Sequence, residues 1–292
     1  MYRASGACTL ATIFVTVVFS CVAFARPDLE ERFIFDPQRI LAWKQYYRLV
    51  TSGFLHADWR HLSLNMVSLY FFGPALELLF GVEQFLAIYL GSIIGGNLLS
   101  LYVHRHHEYR AYGASGGVCG LIFAHILLWP GGSISFFMLP VGIPGWLYAI
   151  LFIAGSFYAM KAGKDNVGHD AHLGGAIIGL LITAALQPDV VRQNWQIFCL
   201  VLGAAVALLV YFWVNPLMLS SEWQGPFRLM KSRGPKVPRH SREEMELDAV
   251  LEKVSAQGMN SLDEDELARL RAASEKLQRR SQSTKPKSGL TI

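Results

Sequence analysis

The stretch Ala171-His172-Leu173-Gly174-Gly175-Ala176-Ile177-Ile178-Gly179, which continues in mostly apolar residues to Gln187, decides the fold. It holds no Lys, Arg, Asp or Glu, and its length falls in the range of roughly 17–25 residues that crosses a bilayer as a helix. Gly175 and Gly179, four apart, form a small-residue surface on which a neighbouring helix can approach closely. His172, near the start, is an ionisable group admitted to a spanning helix. Such a group is a functional hypothesis by default.

Six further stretches read the same way: 8–25, 62–82, 84–103, 111–129, 145–161 and 195–214, none with a Lys or Arg in its interior. Composition agrees, with 52% hydrophobic and 16% charged residues against about 25% charged in a soluble domain. This excludes a disordered chain and argues against the soluble two-domain enzyme that 292 residues would allow. Residues 216–292 hold 14 of the 26 Lys+Arg, so the net charge of +4 is a property of a basic tail and no evidence for nucleic acid. The expected partner is the lipid bilayer. Cys8, Cys21, Cys119 and Cys199 are scattered without paired spacing, giving neither a disulfide framework nor a metal site, and no cofactor is expected.

The expected linkers are 26–60, His104 to Arg110, Gly131 to Pro144, Lys161 to Asp170 and Gln187 to Asn194. The first span has a rival reading, because its apolar run ends in Ala23-Phe24-Ala25 and resembles a cleavable signal peptide. After the last span, 216–240 reads as a basic Pro/Gly-bearing linker. Residues 241–280 then read as a soluble helical hairpin and 281–292 as a disordered end. Ser241 and Glu244 form a capping-box pattern before Leu247, Val250, Leu251 and Val254 at helical spacing, and Gly258 stops that helix. Ser261 to Glu264 opens the second helix, with Leu267, Leu270 and Leu277 on one face. The hairpin is suited to docking or regulation with no partner indicated, or is simply a solvated tail.

The polar residues of the spans are concentrated at three helix starts. The second span begins His61-Leu-Ser-Leu-Asn65, the fourth Ala111-Tyr-Gly113-Ala-Ser115-Gly116-Gly117, and the sixth Ala171-His172. Spans two, four and six run in the same direction, so their N-terminal ends share one membrane face. His61, Asn65, Ser115 and His172 thus lie at one depth, within roughly 10 Å of it. A serine hydroxyl is a weak nucleophile unless a base takes its proton, which His172 can do. Asn65, His61 and the Ser115 backbone N–H are available to an oxyanion. Asp170, two residues before His172, could orient it, but adjacency on a loop is weak support, so a Ser–His dyad is favoured over a triad. Each piece alone has a plainer reading: small-residue packing for Gly-Ala-Ser-Gly, an interfacial histidine, an asparagine bonding a neighbouring helix. Their coincidence at one depth is what makes them site-like.

With these residues in order, residues 8–187 resemble a rhomboid intramembrane serine protease. The markers are Tyr47-Arg48 in the long first loop, His61-x-x-x-Asn65, Gly113-Ala-Ser115-Gly116 and Ala171-His172-x-x-Gly175-x-x-x-Gly179. The resemblance implies a six-helix core over 1–187, with 188–215 as an additional seventh span. It implies Ser115 as nucleophile and His172 as general base, with His61, Asn65 and Gly113 at the oxyanion and substrate side. Arg48, Glu77, Gly116, Gly175 and Gly179 would be structural supports. Transmembrane proteins would be the substrates, entering between the second and fifth spans, with Phe157 and Tyr158 as gate candidates. The first loop would be membrane-embedded, with His56 near its end. A bacterial plasma membrane is the expected location. Tyr47 stands where a Trp is often found, and Cys119 where an aromatic often packs under the catalytic histidine. Because the core requires its first helix, the resemblance disfavours the signal-peptide reading.

Two other functions were weighed: a catalytically silent rhomboid-like protein that binds membrane helices, and a seven-helix channel, transporter or receptor. Relatives of the silent kind usually lack the Ser or the His, and both are present. For the transport class, Glu77 is the one carboxylate well inside a span, which is thin support for an ion relay. Charge distribution and family resemblance imply opposite orientations. Loops 26–60, 104–110 and 161–170 and the tail carry 24 of the 26 Lys+Arg, which the positive-inside tendency places in the cytoplasm. Many members of the family instead place that face outside.

Overall fold

The computed structural model describes residues 6–106, 108–135, 142–162, 167–215, 250–251, 253–254 and 258–272. The chain divides into two compact units, Met1–Gln224 and Gly225–Ile292. The first unit is an all-α polytopic membrane protein with one short strand pair.

Helix α1 (Ala7–Ala25) opens the fold, and its Gly6 N-cap offers no side chain. The long first loop that follows contains three short helices, α2 (Pro27–Phe33), α3 (Pro37–Trp43) and α4 (Arg48–Thr51), and a 3-10 turn at Ser52–Phe54. Next comes α5 (Trp59–His104), 46 residues long, roughly twice what one crossing needs. Its break is a single residue, Gly81, with φ 82° and ψ 171°. The expected second and third spans are therefore two helical limbs joined directly at a glycine, which alone reaches that backbone conformation without strain. Asp58 caps the start of α5, accepting the His61 N–H at 2.8 Å.

Helix α6 (Ser115–Leu128) is the centre of the bundle, buried continuously from Gly116 to Ala124. The expected fourth span began at residue 111, but the helix starts at Ser115. Phe35 and Ala111 form a β-bridge, and Gly113 has φ 134°, which no helix accommodates. At about 1.5 Å per residue the 14 residues of α6 fall short of the ~30 Å hydrocarbon core.

The segment expected as a Gly131–Pro144 linker carries two strands, β1 (Ser133–Ser135) and β2 (Gly142–Pro144), paired antiparallel with Ile134 opposite Ile143. Then follow α7 (Gly145–Ala162), α8 (His169–Leu186), α9 (Pro188–Gln193) and α10 (Trp195–Val214). The expected linker Gln187 to Asn194 is thus mostly the short helix α9, opened by Pro188 at its first position. Helix α7 packs on α8 and α10, and Phe157 meets the rings of Tyr211 and Phe212 at 5.2 and 5.7 Å. Among the described residues, five helices are long and apolar enough to cross a membrane, α5 at twice the usual length, and α6 is shorter.

Small residues hold α5, α6 and α8 together. A Cβ at Gly175 would collide with the Gly116 carbonyl and one at Gly179 with the Gly120 backbone, while Gly95 and Gly96 of α5 lie against Ile178 and Ala171 of α8. Backbones at this separation gain dispersion contacts that larger side chains would prevent. At the far end of the first limb of α5, Glu77 accepts the N–H groups of Cys8 and Thr9 at 2.9 and 2.8 Å and the Thr9 hydroxyl at 2.8 Å. A carboxylate inside a span is satisfied here by the N-terminus of α1, whose dipole favours a negative charge.

In the second unit, residues 264–272 are helical and Gly258 has φ 81°. The cap of that helix is a reciprocal box between Asp263 and Glu266, at 2.8 and 2.9 Å, and Asp263 lies within the Ser261 to Glu264 stretch expected to open it. Ser241, Glu244, Leu277 and the boundaries at 240 and 280 lie outside the described residues.

Candidate active site

Ser115 opens α6 and His172 sits one turn into α8, and the two meet with Oγ and Nε2 2.6 Å apart. The hydroxyl donates to Nε2 when the ring carries its proton on Nδ1. The meeting is made by the glycine contacts one turn deeper, which fix the two helix starts side by side.

Asp170, weighed as a third member, does not serve His172. The carboxylate lies 3.1 Å from Nε2 of His104, at the last turn of α5. Two residues along a helix turn the side chain by about 200°, so Asp170 and His172 point to opposite sides of α8. The ring of His169 stands edge-on to His172, with centroids 6.0 Å apart. Cys119 is fully buried in the core of the bundle.

Gly113 brings His61 to the same place. A Cβ there would lie 2.7 Å from His61 Cε1, 2.9 Å from its Nε2 and 3.6 Å from Ser115 Oγ. The absent side chain is therefore the space between the imidazole and the hydroxyl. Asn65 is placed less directly: its Nδ2 donates to the His61 carbonyl at 2.9 Å, leaving one further amide hydrogen. The structure thus groups Ser115, His172, Gly113 and His61, with Asn65 buried one turn behind.

The segment before Ser115 is held from the first loop. The Gly113 N–H donates to the Ser52 carbonyl at 3.0 Å, and the Ala114 N–H to Nε2 of His56 at 3.4 Å. His56 is itself oriented by Ser20 Oγ, 3.0 Å from Nδ1, and stacks edge-on against His61 with centroids 5.0 Å apart. Burial, reinforced by the neighbouring His61, pushes His56 down to about 3, so its Nε2 is an acceptor at neutral pH. Ser20 and Ser52 were not legible beforehand, since a serine in an apolar run or a loop has no distinguishing spacing.

Arg48 is fully buried and donates from Nη1 to the carbonyls of Glu31 and Ile34 at 3.0 and 2.7 Å, and from Nε to Gln45 at 2.7 Å. Burial lowers its pKa from the ordinary arginine value. Glu31 binds both Arg39 and Arg110, at 2.6 and 2.7 Å, tying the first loop to the strand-like segment that leads into Ser115. Among the described residues, no group of three or more His, Cys, Asp or Glu is placed to hold a metal ion.

The family model for the Rhomboid domain matches residues 43–188, which include Ser115, His172, Gly113, His61 and Asn65. The chain is 31% identical over 161 residues to RHOMBOID-like protein 12, mitochondrial, of Arabidopsis thaliana, covering 48% of this chain and 46% of that one. It is 29% identical over 150 residues to Rhomboid protein 1, mitochondrial, of Saccharomyces cerevisiae, with 50% and 43% covered. It is 31% identical over 147 residues to Rhomboid protease GluP of Bacillus subtilis, with 50% and 27% covered. The matches span about half, or less, of these relatives' own length. With mitochondrial proteins beside bacterial ones among them, the expected bacterial plasma membrane gains no support. A domain match over half the chain, on a bundle that brings the motif residues of three helices to one place, makes this chain a member of the rhomboid family.

Proposed function

We propose that the protein is an intramembrane serine endopeptidase that hydrolyses peptide bonds in or beside transmembrane helices of membrane proteins. The observation that carries this reading is the 2.6 Å contact between Ser115 Oγ and His172 Nε2 at the start of two buried helices. In this mechanism His172 accepts the Ser115 proton as Oγ attacks the scissile carbonyl, then returns a proton to the leaving amine. The Ser115 N–H, His61 and the free hydrogen of Asn65 are the donors to the tetrahedral oxyanion. A substrate helix hides its carbonyls in hydrogen bonds, so helix-breaking residues near the cut should favour cleavage.

Entry between the first limb of α5 and α7 is supported by the absence of close packing between those elements. Of the two gate candidates, Tyr158 is exposed while Phe157 is packed on α10. Cleavage of single-span reporters in proteoliposomes tests the function. Wild type should cut at a site mapped by mass, and Ser115→Ala and His172→Ala should be inert though folded. Cutting by Ser115→Ala, or no cutting and no labelling by a fluorophosphonate in wild type, would leave the silent membrane-helix binder as the better reading.

The basic first loop favours a cytoplasmic active-site face. Tyr46 on that loop is 57% exposed. In a cysteine-free background, Tyr46→Cys should resist a membrane-impermeant maleimide in intact cells or organelles and react after permeabilisation. Ready labelling before permeabilisation reverses the orientation.

A further inference from the structure

We propose that Asp170 and His104 form a positioning pair that sets the rotation of α8 and so holds His172 on Ser115; the proposal rests on the protease reading above. Asp170 is 3% exposed. It occupies the first turn of α8, and its Oδ2 lies 3.1 Å from Nε2 of His104 in the closing turn of α5, a close polar contact outside aligned hydrogen-bond geometry. The imidazole of His104 is itself fixed: Tyr109 lies flat on it, with centroids 3.5 Å apart and planes within 4°. Tyr109 in turn meets Phe35 of the first loop edge-on at 6.2 Å, and its hydroxyl lies 3.2 Å from where a Gly168 Cβ would be, just ahead of α8. A row of packed groups therefore runs from the first loop through Tyr109 and His104 to Asp170.

The need for such a device follows from the helix contact itself. Glycine-on-glycine packing brings α8 close to α6, but a smooth backbone surface resists rotation and sliding weakly. Asp170 projects from the side of α8 opposite His172, so a grip on one fixes the other. On side chains reaching roughly 5–6 Å from a helix axis, a rotation of about 20° moves the tip by about 2 Å. Displacements of about 1 Å between reacting groups lower rates on the order of a hundredfold. The Ala171 carbonyl, between the two side chains, is seated against Gly96 and lies 3.4 Å from a Cβ placed at Gly116, so the turn that carries the pair is also the turn in contact with both neighbours.

The test uses full-length protein in proteoliposomes with a single-span reporter. Asp170→Ala should lower kcat about 10- to 100-fold with KM changed by less than about twofold, and should slow fluorophosphonate labelling of Ser115 by a similar factor. His104→Ala should behave alike, and the double variant should be no worse than either single one. His104→Gln, whose amide can donate to the carboxylate, should recover most of the rate. Asp170→Asn keeps the volume and serves where the alanine variant does not fold. Losses that add in the double variant, or that follow only the folded fraction, would overturn the pair as a positioning device. Should wild type cleave and Asp170→Ala, His104→Ala and the double variant all match it, this proposal alone fails. Should wild type neither cleave nor label, the protease reading fails and takes this one with it.

Discussion

Gly175 of α8 rests on the backbone of Gly116 of α6, so close that a Cβ at 175 would lie 2.7 Å from the Gly116 carbonyl carbon and 2.8 Å from its Cα. Ser115 and His172 flank this contact, one residue before and three residues before its members. The 2.6 Å separation of Ser115 Oγ and His172 Nε2 is a consequence of two missing side chains.

Side chains added on that seam should separate the pair. Gly179→Leu places a branched side chain against the Gly120 backbone, an overpacking expected to cost about 3 kcal/mol. Fluorophosphonate labelling should fall with the loss of thermal stability, and a variant labelled at the wild-type rate would show that the seam does not set the dyad.

Gly113→Ala should separate catalysis from folding. The new Cβ meets the His61 ring and sits at φ 134°, a strain of order 1–3 kcal/mol. It also fills the space beside Ser115 Oγ. Cleavage should fall at least about a hundredfold while circular dichroism stays helical, and retained turnover would remove His61 from the oxyanion side.

Glu77 should matter to stability rather than to chemistry. Glu77→Ala removes the acceptor of three hydrogen bonds at the start of α1, worth about 3 kcal/mol for a charged acceptor. Thr9→Val removes one of the three and should cost less. Unfolding in mixed detergent micelles gives both values, and turnover per folded molecule should be unchanged in each.

His56 links the site to pH. Its pKa in the fold is about 3, below the ordinary value of about 6.5 in an unfolded chain. Below pH 6.5 the unfolded chain takes up a proton that the folded one refuses, so stability is full above 6.5 and declines as pH falls toward 3. Between pH 7.5 and 5 the loss is about 2 kcal/mol. His56→Asn should flatten this part of the stability profile; an unchanged profile would mean that His56 becomes charged in the fold.

The sequence by itself determined the membrane class, the family and the all-α polytopic architecture. These follow from local properties: length of apolar runs, small-residue spacing, and the cost of a polar group in hydrocarbon. The break at Gly81 lies within two residues of the expected boundary between the second and third spans, whereas the start of α6 was placed four residues early because Gly113 is apolar but not helical there. What only the tertiary structure decided is which polar group serves which. Asp170 is two residues from His172 in the chain, yet it grips His104 on the opposite side of the helix. Asn65 turns to its own backbone, His56 and Ser52 hold the segment before Ser115, and Glu77 closes a helix nearly seventy residues away. Hydrogen bonds and ion pairs act over a few ångströms in space, and a sequence records order along the chain without recording those distances.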